Sequence, residues 1–326
     1  MAIQYDTKSH WPYSKIGKVS ELKRAEGFRS SFTAPLLVIV TAFLFQSGSA
    51  LATRLIASVG IFEALWFRTA IAAAILVLVR PRSLRLPKPG HRLPIALLAL
   101  SLFAMNLSFY GAISNAPLGV VVAVEFLGPL AVSVLGSRRP LDFVWVAFAV
   151  AGVVLLAGPT SSVSTLGLGL SLLAACCWGT FIPLAKHAVT HSEPVGVTTL
   201  MLVGSALLLT PLMVISGPRS FDHPSVLALG AAVALLSALP YLAELFIIRM
   251  LRASTYGVLL SLEPAVAAVT GFAIASQRLS PFEIVAIVAV MIAAAGASLT
   301  SGEVPAEVPP EVFAEVLAEE PPASET

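Results

Sequence analysis

Ten stretches of this chain run for about twenty residues with almost no charge, near 34–53, 62–79, 93–113, 117–136, 142–158, 165–186, 194–216, 226–249, 254–276 and 281–300. A helix rising 1.5 Å per residue needs about that length to cross the hydrocarbon core of a bilayer, so the pattern predicts ten transmembrane helices. Pro94, Pro117, Pro194 and Pro281 fall at the starts of spans, where a missing N–H costs nothing and the fixed φ suits a first turn. The polar connections are short. The longest are RPRSLRLPKPGHR and SGPRSFDHPS, and neither leaves room for a soluble domain. Ala50-Leu51-Ala52 resembles a signal-peptidase site, but the polar leader of residues 1–32 is long for a signal peptide, so retention of the N-terminus is expected.

Composition agrees with the pattern. Hydrophobic residues make up 57% of the 326 residues and charged ones 12%, against roughly 45–50% and 25% in soluble chains. The expected class is an all-α polytopic membrane protein embedded in the lipid bilayer. The 20 basic and 18 acidic residues nearly balance but are segregated, with a basic leader and an acidic tail at 301–326, and no nucleic-acid partner is implied. With the N-terminus inside, sixteen of the 20 lysines and arginines fall on the cytoplasmic side: the leader, the 80–92 loop, Arg138, Arg139, Lys186, Arg249 and Arg252. Only Arg54, Arg219 and Arg278 fall outside, so the positive-inside rule predicts that both termini are cytoplasmic.

The two halves resemble each other. A shift of 138 residues lays GVVVAVEFLGP (119–129) over GVLLSLEPAVA (257–267), matching Gly119 with Gly257 and Glu125 with Glu263; the same shift sets Asn106 opposite Glu244. A shift of 131 sets Gly48 opposite Gly179. Each half holds five spans, and five is odd, so the second half enters the membrane inverted. The expected domains are a leader at 1–32, a first repeat at 33–158, a second at 159–300 and a disordered acidic cytoplasmic tail at 301–326, with the inverted repeats suited to alternating access.

Polar residues inside the spans are few. Glu125 and Glu263 lie too deep to snorkel to an interface, and a carboxylate there costs about 2.5–3.5 kcal/mol on insertion scales. They are either coupling or substrate groups, or hydrogen-bonding devices that fix helix packing. Arg68 cannot shed its charge and needs a carboxylate, from a substrate or from Glu125 or Glu244. Glu63 is expected at an interface, Glu244 in a cytoplasmic vestibule and Asn106 in an outward one. Tyr110, Trp178 and Tyr241 carry polar tips that suit either a cavity or an interfacial belt. Pro129, Pro183, Pro240 and Pro264 fall within spans, where breaks expose carbonyls that can line a cavity. Gln46, Ser47 and Ser49 add amide and hydroxyl groups to the first span. Adjacent Cys176 and Cys177 imply neither disulfide nor metal, and His187 and His191 lack a convincing third ligand. No metal or cofactor is expected.

The runs PLGVVVAVEFLGPLAVSVLGSRRPLDFVWV and LSALPYLAELFIIRMLRASTYGVLLSLEPAVAAVTG resemble the bacterial inner-membrane threonine/homoserine exporters, in the EamA branch of the drug/metabolite transporter superfamily. The resemblance covers roughly residues 34 to 300. It implies ten helices in two inverted repeats, inner-membrane residence and proton-driven export of small amino acids, with a related drug or metabolite exporter as the alternative. The chain departs from the family strings at Gly136-Ser137-Arg138-Arg139 and at Ser276-Gln277, and the acidic tail lies outside the resemblance. An enzyme would need a nucleophile or metal constellation that the spans lack. A non-transporting scaffold would explain neither the repeat nor the buried charges.

Overall fold

The computed structural model describes residues 14–135, 140–156, 163–217, 223–250 and 253–300, without the side chains of residues 14–34, 133–134, 142, 190–191, 241–242, 244–250 and 253–254. The regular elements among them are all helical: α1 (Ser14–Val59), α2 (Ile61–Val79), α3 (Arg92–Ile113), α4 (Leu118–Glu125), α5 (Leu127–Leu135), α6 (Pro140–Leu156), α7 (Thr165–His191), α8 (Pro194–Ser216), α9 (Pro224–Met250), α10 (Ala253–Leu260), α11 (Glu263–Ala275) and α12 (Pro281–Thr300). Two short 3₁₀ turns, Pro81–Leu84 and Pro89–His91, shape the α2–α3 connection. Seven helices are long and apolar enough to cross a membrane by themselves, and Leu118–Val132, Phe143–Leu156 and Pro224–Pro240 are shorter apolar helices.

Every predicted span falls on helix, with two adjustments. The first helix begins at Ser14, well inside the polar leader. The fourth and ninth spans are each divided in two, as α4/α5 and α10/α11. The acidic tail and the Arg138-Arg139 pair lie outside the described residues.

The bundle is inside-out by the standards of a water-soluble protein. Leu78, Phe143, Val154, Leu207, Phe272 and Val285 are all exposed, a girdle of large apolar side chains that water would penalise and lipid accepts. Some inward polar atoms pair across helices: the Trp66 indole N–H donates to Thr210 Oγ1 at 3.0 Å and that of Trp145 to Thr300 Oγ1 at 3.1 Å. These bonds tie α2 to α8 and α6 to α12.

The most extensive helix contacts come in matched pairs. α1 packs on α9 as α3 packs on α7; α2 meets α9 as α3 meets α8; α1 meets α11 as α7 meets α4 and α5. The pairs α2–α8, α6–α12 and α4–α11 join helices five spans apart. Exchanging the two sets of five spans leaves these major contacts unchanged, while the contacts of α12 with α4 and α5 have no counterpart among the larger contacts of α6.

Close crossings depend on glycine. A Cβ on Gly128 would collide with the Ala175 carbonyl oxygen, and one on Gly119 would lie 2.8 Å from the Ala268 Cβ. Without a hydrophobic driving force between helices in lipid, such small-residue contacts supply the van der Waals packing.

Candidate functional site

The two repeat-matched glutamates stand at the two helix interruptions. Glu125 is the last residue of α4, and helix resumes at Leu127; Glu263 is the first residue of α11, after a turn at Ser261 and Leu262. Proline explains both. Pro129 has no N–H to give the carbonyl four residues earlier, that of Glu125, and Pro264 likewise releases the carbonyl of Leu260. The backbone therefore opens N-terminal to each proline, which in the first half is at Glu125 itself. Gly119 on α4 and Ala268 on α11 bring these two broken helices together.

Between them lies a cavity of about 160 Å³ lined by Arg68, Asn106, Glu125, Trp178, Pro240 and Glu263 together with Gln46, Phe45, Phe109 and Tyr256. Arg68 is 3% exposed and Glu125 8%. The Arg68 guanidinium carbon sits 4.5 Å from the Phe45 ring centroid and 5.5 Å from that of Tyr110. Two such cation–π contacts contribute about 2 kcal/mol each when desolvated. A buried charge costs several kcal/mol, so the rings offset only part, and the rest falls to anionic groups. Gln46 is buried, and its Oε1 has no hydrogen-bond partner among the described residues.

The cavity faces one end of the bundle. Its α1 lining, Val38 to Gln46, belongs to the first half of that helix's apolar stretch, and Tyr256 and Leu260 belong to α10. The other end is packed by Ala50, Leu55, Leu65, Tyr110, Ile113, Leu118 and Val121. There, Arg54 donates to the Ile274 carbonyl, and the Leu118 N–H donates to Gln277 Oε1 at 2.9 Å. Gln277, one of the departures from the family string, thus caps the start of α4 across the two halves.

Several expectations change on this geometry. Asn106 lines the same cavity as Arg68 and Glu125 rather than a separate outward vestibule, because α3 turns that face toward α7. Tyr110 does not line the cavity; fully buried, it backs Arg68. Pro183 is exposed on an unbroken α7 and takes no part. Pro129 lines a neighbouring cavity of about 80 Å³ shared with Trp178, and Pro264 is buried behind Glu263. Glu63, in the first turn of α2, is 1% exposed, so at the helix end it packs against protein. The side chains of Tyr241 and Glu244 lie outside the described residues. Phe45, Phe109 and Tyr256 escaped the sequence reading, since a phenyl ring in an apolar span carries no signal until a cation is found beside it.

Comparison with known proteins adds a family and relatives. The model of the EamA-like transporter family matches residues 165–299. The threonine/homoserine exporter RhtA of Salmonella typhimurium (strain SL1344) is 39% identical over 272 residues, which cover 82% of this chain and 92% of the relative. RhtA of Escherichia coli (strain K12) is 38% identical over the same length and shares. One crystal structure superposes with a TM-score of 0.57 at 20% identity, over 82% of this chain and 98% of that one, a likeness of fold.

Proposed function

We propose, from the premise that this chain belongs to the EamA-like transporter family, that it exports small hydroxylated amino acids of the threonine and homoserine kind by alternating access. It is a multi-pass membrane protein; on this reading it resides in the bacterial inner membrane with both termini cytoplasmic, and protons drive the export. The observation that supports the reading best is the meeting of Arg68, Glu125 and Glu263 on one small cavity.

A zwitterion entering a low-dielectric cavity needs both charges compensated, since either one alone costs several kcal/mol. Arg68, braced by two rings, holds the substrate carboxylate. Glu125 accepts the ammonium, helped by its own carbonyl, which Pro129 releases at the C-terminal end of α4, where helix geometry favours cations. Gln46 Oε1 accepts from the substrate hydroxyl. Glu263, in the first turn of α11, carries the exchanged proton. The cavity is small beside the roughly 300–1,000 Å³ of pockets that enclose drug-sized ligands, which favours an amino acid over the drug-export reading.

In this cycle the cavity faces the cytoplasm, and the packed far end, latched at Gln277 and Arg54, is the closed outer gate. The two interrupted helices are the moving parts, and the paired helix contacts let the halves exchange roles. The test is flux. Proteoliposomes loaded with labelled threonine, homoserine, valine or a cationic drug are followed with and without a proton gradient. Gradient-driven movement of the hydroxy amino acids alone supports the reading, and drug flux without amino-acid flux overturns it.

A further inference from the structure

Far from the central cavity, the α2–α3 connection carries Arg80, Arg82, Arg85, Lys88, His91 and Arg92 within thirteen residues. An orientation signal needs only charge on a flexible loop, but this loop is built. Its two 3₁₀ turns are held by Ser83 Oγ donating to the Arg80 carbonyl at 2.6 Å and Arg92 Nε donating to that of Pro87 at 3.1 Å. Ser83 is 1% exposed, and its turn packs on α8.

Together with Glu193 and Gly196 at the start of α8, the connection encloses a cavity of about 540 Å³. Among the described residues Glu193 is its one acidic lining residue, and that carboxylate pairs with Arg80 at 2.7 Å. The pair fixes one wall, while Arg82, Arg85 and Lys88 are exposed and unmatched by any acid in the lining. Between and beside these cations, Leu84, Leu86 and Leu93 are exposed at 42%, 67% and 67%, next to Leu78 and Val79 at the end of α2, exposed at 78% and 69%.

We infer that this cavity binds the phosphate headgroup of an anionic phospholipid. Cations beside exposed leucines at a helix end match the two-part chemistry of a lipid at the interface: phosphodiester on the arginines and lysine, acyl chain on the apolar side chains. A free phosphate would use only the first part. The cavity joins a loop of the first half to the start of α8 in the second, so a lipid seated there bridges the two. The proposal does not depend on the transport reading.

Full-length protein in non-ionic detergent is titrated with dioctanoyl-phosphatidylglycerol, dioctanoyl-phosphatidylcholine or inorganic phosphate, with bound lipid read by native mass spectrometry and stability by the thermal unfolding midpoint. Phosphatidylglycerol is expected to be retained and to raise the midpoint, phosphatidylcholine and phosphate to do neither. Combining Arg82→Gln, Arg85→Gln and Lys88→Gln should weaken phosphatidylglycerol binding by roughly fivefold per cation removed. Arg82→Lys with Arg85→Lys, which keeps the charge, should retain it. Equal retention of both lipids, undiminished phosphatidylglycerol binding by the triple variant, or phosphate acting as well as the lipid would each overturn the proposal. So would an unresponsive wild type, the result expected if the acidic tail fills the cavity.

Discussion

Glu125 and Glu263 occupy matched positions in the two halves, yet the chain surrounds them differently. Glu125 ends a helix: it is 8% exposed, its own carbonyl is released by Pro129, and Arg68 lines the same cavity. Glu263 begins a helix, half-buried, in the first turn of α11. Helix ends favour opposite charges. A C-terminal end suits an arriving cation, and an N-terminal end suits the carboxylate itself. Two repeat-matched carboxylates thus line one cavity in different helical settings, and on the proposed reading their work is divided, one facing the substrate ammonium and one carrying the exchanged proton.

The largest expected effects come from erasing that division. Glu125→Gln should lower all transport, exchange included, on the order of a hundredfold, because a buried ammonium left without its partner costs about 3 kcal/mol. Glu263→Gln should keep exchange of internal for external substrate while removing the response to a proton gradient. Comparing exchange with gradient-driven flux in proteoliposomes separates the two. Arg68→Lys comes next: a point charge replaces a planar fork braced by Phe45 and Tyr110, and substrate affinity should fall roughly tenfold, read by equilibrium binding.

Packing predictions are smaller and fall on the crossings that bring the broken helices together. Gly128→Ala must push α5 from α7, and Gly119→Ala must push α4 from α11; each should cost about 1–3 kcal/mol of stability in thermal unfolding. The smallest effect tests the symmetry of the hinges. Pro129→Ala and Pro264→Ala restore a backbone donor at each interruption, so both should leave the unfolding midpoint unchanged or raised while slowing exchange a few-fold. A change at one hinge alone would mean that only one broken helix moves.

Much of this was legible in the chain. Twenty-residue apolar runs located the helices because lipid demands internal backbone hydrogen bonding and a fixed length. Glu125, Glu263 and Arg68 stood out because charge is costly there. The proline at 129 announced a break, and because a proline frees the carbonyl four residues before it, the interruption follows Glu125. Pro183 shows the converse: α7 stays continuous around it, facing away from the bundle. Burial of Glu63, the bracing by Phe45 and the cap from Gln277 depend on which helices become neighbours. Residues far apart in sequence carry no mark of that. The extension of α1 into a polar leader was hidden for another reason: hydropathy locates the part of a helix in lipid and is silent about its continuation into water.

The central claim, that Arg68 and Glu125 clamp the two ends of a zwitterion, is tested most directly by binding rather than flux. Affinities of threonine, of threoninol, which lacks the carboxylate, and of N-acetylthreonine, which lacks the ammonium, are measured on the purified wild type and on Arg68→Gln and Glu125→Gln. If Arg68 holds the carboxylate, threoninol loses affinity for the wild type but little more for Arg68→Gln, and N-acetylthreonine behaves the same way toward Glu125→Gln, because each pair shares one interaction. Penalties that simply add, with both variants still binding threonine as the wild type does, would contradict the account and leave the buried charges as packing devices.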